Sequence, residues 1–70
     1  MSPEELLEAL DVGAQVIREE FAGISLVGQR LPGGMLIECD LTGADMAGAE
    51  MSGVQFIRCK LAGASFAGAS

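Results

Sequence analysis

The sequence predicts a mainly β fold, a solenoid of stacked turns that follows a short N-terminal helix. Large apolar residues recur every five residues from Ala14 onward, and a weaker twenty-residue repeat lies on top of this period. A third observation is a helix-capping pattern at the start of the chain. The five-residue period fits neither an α-helix nor a flat strand, so the backbone is expected to turn regularly and stack equivalent residues.

Residues 1–13 are predicted to form a capping helix. Ser2, Pro3 and Glu5 stand where a capping box with proline at the first helical position requires them, and Gly13 favours the end of the helix. The helix carries an apolar stripe of Leu6, Leu7 and Leu10. An open solenoid end needs a cover, so the helix is expected to lie over the first turn. A partner-binding helix is the alternative.

Residues 14–70 divide into eleven groups of five, followed by Ala69 and Ser70. The central residue of every group is large and apolar, although only 23 of the 70 residues are Val, Ile, Leu, Met or Phe. These central residues are Val16, Phe21, Leu26, Leu31, Leu36, Leu41, Met46, Met51, Phe56, Leu61 and Phe66. The period brings these equivalent residues together.

The groups Cys-Asp-Leu-Thr-Gly at 39–43, Ala-Asp-Met-Ala-Gly at 44–48 and Ala-Ser-Phe-Ala-Gly at 64–68 resemble the pentapeptide-repeat family. The resemblance implies a right-handed, four-sided parallel β-helix over residues 14–70, with four groups per coil and just under three coils. It also implies that the central residue of each group and the residue two positions before it face inward. The twenty-residue repeat supports four sides independently, because residues 39–48 share Cys, Leu, Gly, Ala, Ala and Gly with residues 59–68.

Eight groups end in glycine, where a tight turn with positive φ is expected. The three exceptions are Arg18, Glu38 and Arg58, which lie twenty residues apart and follow Ile17, Ile37 and Ile57. The isoleucines are predicted to stack on one outward face, with Met35 beside Ile37, as an apolar ridge flanked by the charged residues. A contiguous apolar strip is typical of an interface. Two alternatives to an interface remain open. The helix folds back over Ile17, or the ridge stabilises a type of turn that contains no glycine.

The last coil is small and nearly uncharged apart from Lys60. An uncovered end of a solenoid exposes unpaired backbone and favours association. We therefore expect a two-fold homo-oligomer through the C-terminal coil, with Lys60 and Phe66 in the contact. Two alternatives are a longer solenoid, of which this sequence is a fragment, and a lid supplied by another protein.

The chain is acidic, with a net charge of −6, but most of this charge belongs to the predicted helix. Four acids lie in residues 1–13, which leaves six acids and four bases in residues 14–70. Stacking at twenty residues places Asp40 against Lys60, Arg30 against Glu50, and Glu38 between Arg18 and Arg58.

Some proteins of the resembled family mimic duplex DNA and bind type II topoisomerases such as gyrase. Such mimicry needs a continuous negative stripe, so it is retained only as the alternative function. Four scattered bases predict no direct nucleic-acid binding.

Cys39 and Cys59 occupy predicted inward positions on adjacent coils. A disulfide is sterically conceivable, but packed, reduced thiols are expected. The chain contains no histidine and no third cysteine, so no metal site and no cofactor are predicted. Without histidine there is also no Ser-His or Cys-His pair, and the outward carboxylates Asp40, Asp45 and Glu50 are interpreted as solubilising. No enzymatic activity is expected.

The sequence thus predicts a non-enzymatic interaction or scaffold module that binds an unidentified protein. The N-terminus is acidic and lacks an apolar core, which does not match a secretion signal, and no apolar run approaches about 18 residues. A cytoplasmic location without membrane association is therefore expected.

Overall fold

The computed structural model describes all 70 residues. One helix precedes a three-stranded parallel sheet whose strands lie in the order β1-β2-β3. The elements are α1 (Pro3–Asp11), β1 (Gln15–Ile17), β2 (Gly34–Ile37) and β3 (Val54–Ile57). Neighbouring strands pair at an offset of twenty residues, so Val16, Leu36 and Phe56 lie in one row. No helix has the length and apolar character needed to cross a lipid bilayer.

Parallel pairing at the same offset continues outside the sheet. Asp40 pairs with Glu20 on one side and Lys60 on the other, Asp45 pairs with Ser25 and Ser65, and Arg30 pairs with Glu50. These contacts are held by main-chain hydrogen bonds of ordinary length, such as Leu41 N–H to the Lys60 carbonyl at 2.8 Å. The main chain therefore contacts its neighbour at four places in each twenty residues.

The core is one cluster of 12 buried residues. The first seven central residues of the five-residue groups are buried, from Val16 to Met46, as the sequence predicts. Met51, Phe56 and Leu61 are only partly buried and Phe66 is 38% exposed, so burial declines toward the C-terminus. Positions two before a central residue are also buried at Cys39, Ala44 and Ala49.

Gln29 contradicts the inward pattern, because it is exposed. It lines an opening of about 280 Å³ between α1 and the adjoining loop, together with Leu7, Asp11 and Pro32. Burial would remove its amide from water without a partner, which is unfavourable, and the opening leaves the side chain room to stay solvated.

Helix α1 begins and packs as predicted. The Ser2 hydroxyl accepts a hydrogen bond from Glu5 N–H at 3.2 Å, and Ser2 N–H donates to Glu5 Oε1 at 2.7 Å, which completes the capping box. Leu6 and Leu10 are fully buried in the common core. Leu10 lies close to Gly34, where an added Cβ would stand 2.8 Å from Leu10 Cδ2. The helix thus covers the first end of the core.

The predicted positive φ is confirmed for six of the eight group-ending glycines and is wrong for two. Gly23, Gly28, Gly43, Gly48, Gly63 and Gly68 have φ from 68° to 73°. Gly33 and Gly53 do not adopt positive φ, since the chain here passes directly into β2 and β3. Gly53 meets a different requirement, because a Cβ at this position would lie 2.6 Å from the Pro32 carbonyl oxygen.

Gly53→Ala is predicted to destabilise the protein by about 2 kcal/mol, since backbone cannot move aside as a flexible side chain can. Gly33→Ala is the matched control, because its Cβ would meet only Gly53 O at 3.8 Å. Restricting the unfolded chain there is expected to stabilise by up to about 1 kcal/mol. Urea unfolding of both variants measures the difference, and equal effects would contradict the close approach at Gly53.

Glu5 is predicted to make the stability of α1 depend on acidity. The hydrogen bonds from Ser2, first its backbone N–H and then its hydroxyl, lower the pKa of the Glu5 carboxyl below its usual value. The ionised group therefore stabilises the fold above its unfolded-state pKa, and this contribution disappears as pH falls through the lower folded-state pKa. Between pH 7 and pH 3 the thermal midpoint should fall less for Glu5→Gln than for the parent protein. Glutamine can still accept the hydrogen bond from Ser2 N–H but does not titrate. Parallel pH curves would refute this role.

Candidate interaction surface

The three isoleucines predicted to stack form a column along one face. Ile17 pairs with Ile37, and Ile37 pairs with Ile57, in the register of the sheet. Ile17 is 44% exposed, while the other two side chains are partly buried. Leu36 lies between Met35 and Ile37 in β2 and is buried. Because successive side chains of a strand point to opposite faces, the side chains of Met35 and Ile37 project outward. The isoleucine column consists of Ile17, Ile37 and Ile57.

Met35 lies beside this column as predicted and is itself partly buried. It pairs with Gln15 in β1 and Gln55 in β3. The Gln15 amide Nε2 lies 3.9 Å from the Met35 sulfur, a weak contact. The outward face of the sheet is thus apolar at the isoleucines and partly polar one row away.

A charged column of Arg18, Glu38 and Arg58 follows the isoleucines directly. Arg18 Nη1 lies 3.1 Å from Glu38 Oε1, and Arg58 Nε lies 3.6 Å from Glu38 Oε2, which confirms the predicted position of Glu38 between two bases. All three residues have left-handed backbone, with φ of 53°, 55° and 52°. This conformation costs a residue with a Cβ about 1 to 2 kcal/mol, and glycine avoids that cost at the ends of six other groups.

The charged column borders a depression of about 430 Å³, here called the charged groove. Lys60 and the carboxylates of Glu20 and Asp40 also line it. The Thr42 hydroxyl, 2.6 Å from Asp40 Oδ1, and the Thr42 N–H at 3.0 Å lower the pKa of the Asp40 carboxyl, and the positive charge of Lys60 adds to this effect. The sequence indicates the Asp40 and Lys60 pairing. The contact with Thr42 was missed, although Asp commonly accepts a hydrogen bond from the N–H two residues on, as Asp45 also does from Ala47.

One further ion pair joins paired segments elsewhere in the repeat region. Arg30 Nε lies 2.9 Å from Glu50 Oε2, as predicted. Both side chains are more than half exposed, so this ion pair contributes little to stability. No group of three or more His, Cys, Asp or Glu is arranged to hold a metal ion. In the repeat region, opposite charges thus face one another in the charged column and at Arg30 and Glu50.

The C-terminal edge, defined as residues 57–68, has a different character. Lys60 is exposed and forms no ion pair shorter than 4 Å. The Phe56 and Phe66 rings pack edge to face, with 6.2 Å between centroids and 82° between planes. Five backbone N–H groups on this edge donate to no backbone carbonyl although their counterparts twenty residues earlier do, those of Arg58, Leu61, Gly63, Phe66 and Gly68. The predicted contact residues Lys60 and Phe66 therefore lie on an edge with free backbone donors.

Cys39 and Cys59 are both free thiols. Cys39 is buried and its Sγ lies 3.4 Å from the Val16 carbonyl oxygen, while Cys59 is partly buried and its Sγ lies 3.2 Å from the Leu36 carbonyl oxygen. The two thiols occupy equivalent positions one repeat apart, each directed at the backbone of the preceding segment. Burial raises the pKa of the Cys39 thiol above its usual value.

A family model described as pentapeptide repeats matches residues 35–70 in eight copies, which covers 36 of the 70 residues. No curated protein and no solved structure matches the chain at a significant level.

Cys59 is predicted to react with iodoacetamide faster than Cys39 in the folded protein. The thiolate is the reacting form, and burial both hides the Cys39 sulfur and disfavours its ionisation. Peptide mass spectrometry of briefly alkylated native protein measures the two rates, with urea-unfolded protein as the control in which the rates should converge. Equal labelling in the folded state would contradict the burial of Cys39.

Proposed function

The chain belongs to the pentapeptide-repeat family, and from this premise we propose that residues 14–70 form a right-handed, four-sided parallel β-helix. The support is the constant offset of twenty residues between paired segments and the four paired positions in each segment. With one five-residue group per side, four sides account for that offset. The core residues then line the inside of the coils.

On this fold we propose a non-enzymatic module that binds another protein through the isoleucine column. The observation that carries the proposal is the in-register stack of three outward isoleucines beside the Arg18, Glu38 and Arg58 column. Single exposed apolar residues are common on surfaces, whereas a contiguous strip with a charged border is typical of an interface.

The backbone of the charged column supports the same interpretation. Three residues with side chains hold a conformation that glycine adopts at six other turns of the repeat region. A residue with a side chain is strained in left-handed backbone, and such strained residues are often found at functional sites. Here the side chains supply two ion pairs and an ordered polar border next to the apolar strip.

Mimicry of DNA, the alternative function, finds less support. Opposite charges face one another along the repeats at Glu38 and Glu50, which breaks up any negative stripe. The longest dimension of the protein is 25 Å, shorter than one turn of DNA at about 34 Å. Self-association through the C-terminal coil stays a prediction from the sequence.

Ile37→Glu is predicted to abolish binding of the partner, because a carboxylate in the middle of the apolar strip must be desolvated in the complex. Val27→Glu is the matched control. Val27 is 50% exposed and has the same position within its five-residue group, but it lies outside the isoleucine column. Affinity capture with the full chain, followed by quantitative mass spectrometry, compares the two variants with the parent.

Thermal unfolding of both variants must first show that the fold is retained. A partner captured by the parent and by Val27→Glu, but not by Ile37→Glu, supports the proposal. Equal capture by all three proteins would refute the isoleucine column as the binding surface. Equal loss in both variants would show that any added negative charge disturbs binding, and would also refute it.

A further inference from the structure

Cys39 and Cys59 hold their sulfur atoms in the same geometry, one repeat apart. Each Sγ lies 3.6 Å from the carbonyl oxygen two residues before it, that of Ile37 and that of Ile57. Each Sγ also approaches a carbonyl oxygen of the preceding segment, at 3.4 Å and 3.2 Å respectively. The two side chains therefore share one conformation, and their sulfur atoms are separated by one spacing between paired segments.

This spacing suits a bridging atom better than a direct bond. Lys60 N–H donates to the Cys39 carbonyl at 3.0 Å, so the two cysteines lie on directly paired segments. Such segments are about 4.8 Å apart. A disulfide requires its sulfur atoms about 2.0 Å apart, so both side chains would have to leave their present positions. Two metal–thiolate bonds of about 2.3 Å laid end to end span about 4.6 Å, close to the spacing that the fold provides.

The ligand set selects the kind of metal ion. No group of three or more His, Cys, Asp or Glu is arranged to hold an ion, so the pair does not offer the four ligands that a structural zinc site uses. Thiolates are soft ligands and favour Cu(I). Monovalent ions with a filled d shell, Cu(I) and Ag(I), form linear complexes with two thiolates. Two sulfur atoms facing each other across one strand spacing match this class of cation.

A route for a cation leads to the pair. Cys39 lines the charged groove, whose wall includes the carboxylates of Glu20 and Asp40, and negative charge along a groove draws in cations. On binding, two S–H bonds break, two metal–sulfur bonds form, both protons pass to solvent and no electron is transferred. The bound unit carries one negative charge. The ammonium of Lys60, in the same groove, offsets part of the cost of burying it.

We propose that Cys39 and Cys59 form a two-coordinate site for a soft monovalent cation, Cu(I) or its analogue Ag(I), held between two paired segments. The fold already places the two sulfur atoms at the separation that such a bridge needs. The site shares no residue with the isoleucine column or the charged column, so it stands or fails independently of the proposed function.

The test titrates the reduced full chain with Cu(I) under nitrogen, in competition with a chelator of known affinity. One ion per chain is expected. The thermal midpoint should rise, because a ligand that binds only the folded state stabilises it, whereas Zn(II) should leave the midpoint unchanged. X-ray absorption should show two sulfur neighbours at the copper. Bound Cu(I) should also protect both thiols of the parent from iodoacetamide, which requires no variant.

Cys39→Ala and Cys59→Ala each remove one ligand, and alanine fills equivalent buried positions at Ala44 and Ala49. Because the second thiolate of the parent acts at high effective concentration, each variant is expected to bind Cu(I) about a hundredfold more weakly. Cys59→Ala combined with Ala64→Cys is the matched control. It keeps two thiols per chain, but residue 64 lies beside Ala44 and not beside Cys39, so binding should stay weak.

Thermal unfolding of each variant without metal must first show a folded protein. The proposal is overturned if the parent binds Cu(I) no more tightly than the single variants, or if the relocated thiol restores the affinity of the parent. A thermal midpoint that falls with Cu(I) would also overturn it, because binding would then belong to the unfolded chain. So would native mass spectrometry that finds one ion shared by two chains.

Discussion

Main-chain hydrogen bonds between segments twenty residues apart determine the position of every side chain in the repeat region. The bonds recur with little variation, as in Phe21 N–H to the Asp40 carbonyl at 2.7 Å and Leu41 N–H to the Lys60 carbonyl at 2.8 Å. Parallel pairing in this register places each residue beside its equivalent in the next segment. The apolar rows, the equivalent positions of the two cysteines, the isoleucine column and the ion pairs all follow from that single offset.

The two ends of the paired region differ in how well their apolar residues are covered. Helix α1 covers the first end, where Leu6 and Leu10 complete a core that includes Val16 and Leu31. At the other end Leu61 is partly buried and Phe66 is partly exposed. Local stability depends on buried apolar contacts and protected backbone hydrogen bonds, so the last segment is held least firmly.

Much of this arrangement could be predicted from the sequence because its causes are local and repeated. The spacing of apolar residues identified the core, the capping box located α1, and the twenty-residue offset paired Arg30 with Glu50. The exposure of Gln29 and the backbone of Gly53 could not be predicted. These depend on how the loop around Pro32 meets α1 and β2, which is set by tertiary packing and not by the repeat. The candidate surface was predictable as a row of residues, but the left-handed φ of Glu38 was not.

The charged column also bears on the register in which the segments pair. Apolar residues at every group centre would stack equally well at offsets of fifteen, twenty or twenty-five residues, so the core alone leaves the offset undefined. Glu38 meets Arg18 and Arg58 only at twenty, and the same offset brings the three groups without a final glycine into one row. A shift by one group would set each charged residue beside a glycine and break both ion pairs. The charged column therefore selects the offset between segments, a source of fold specificity that a uniform repeat lacks.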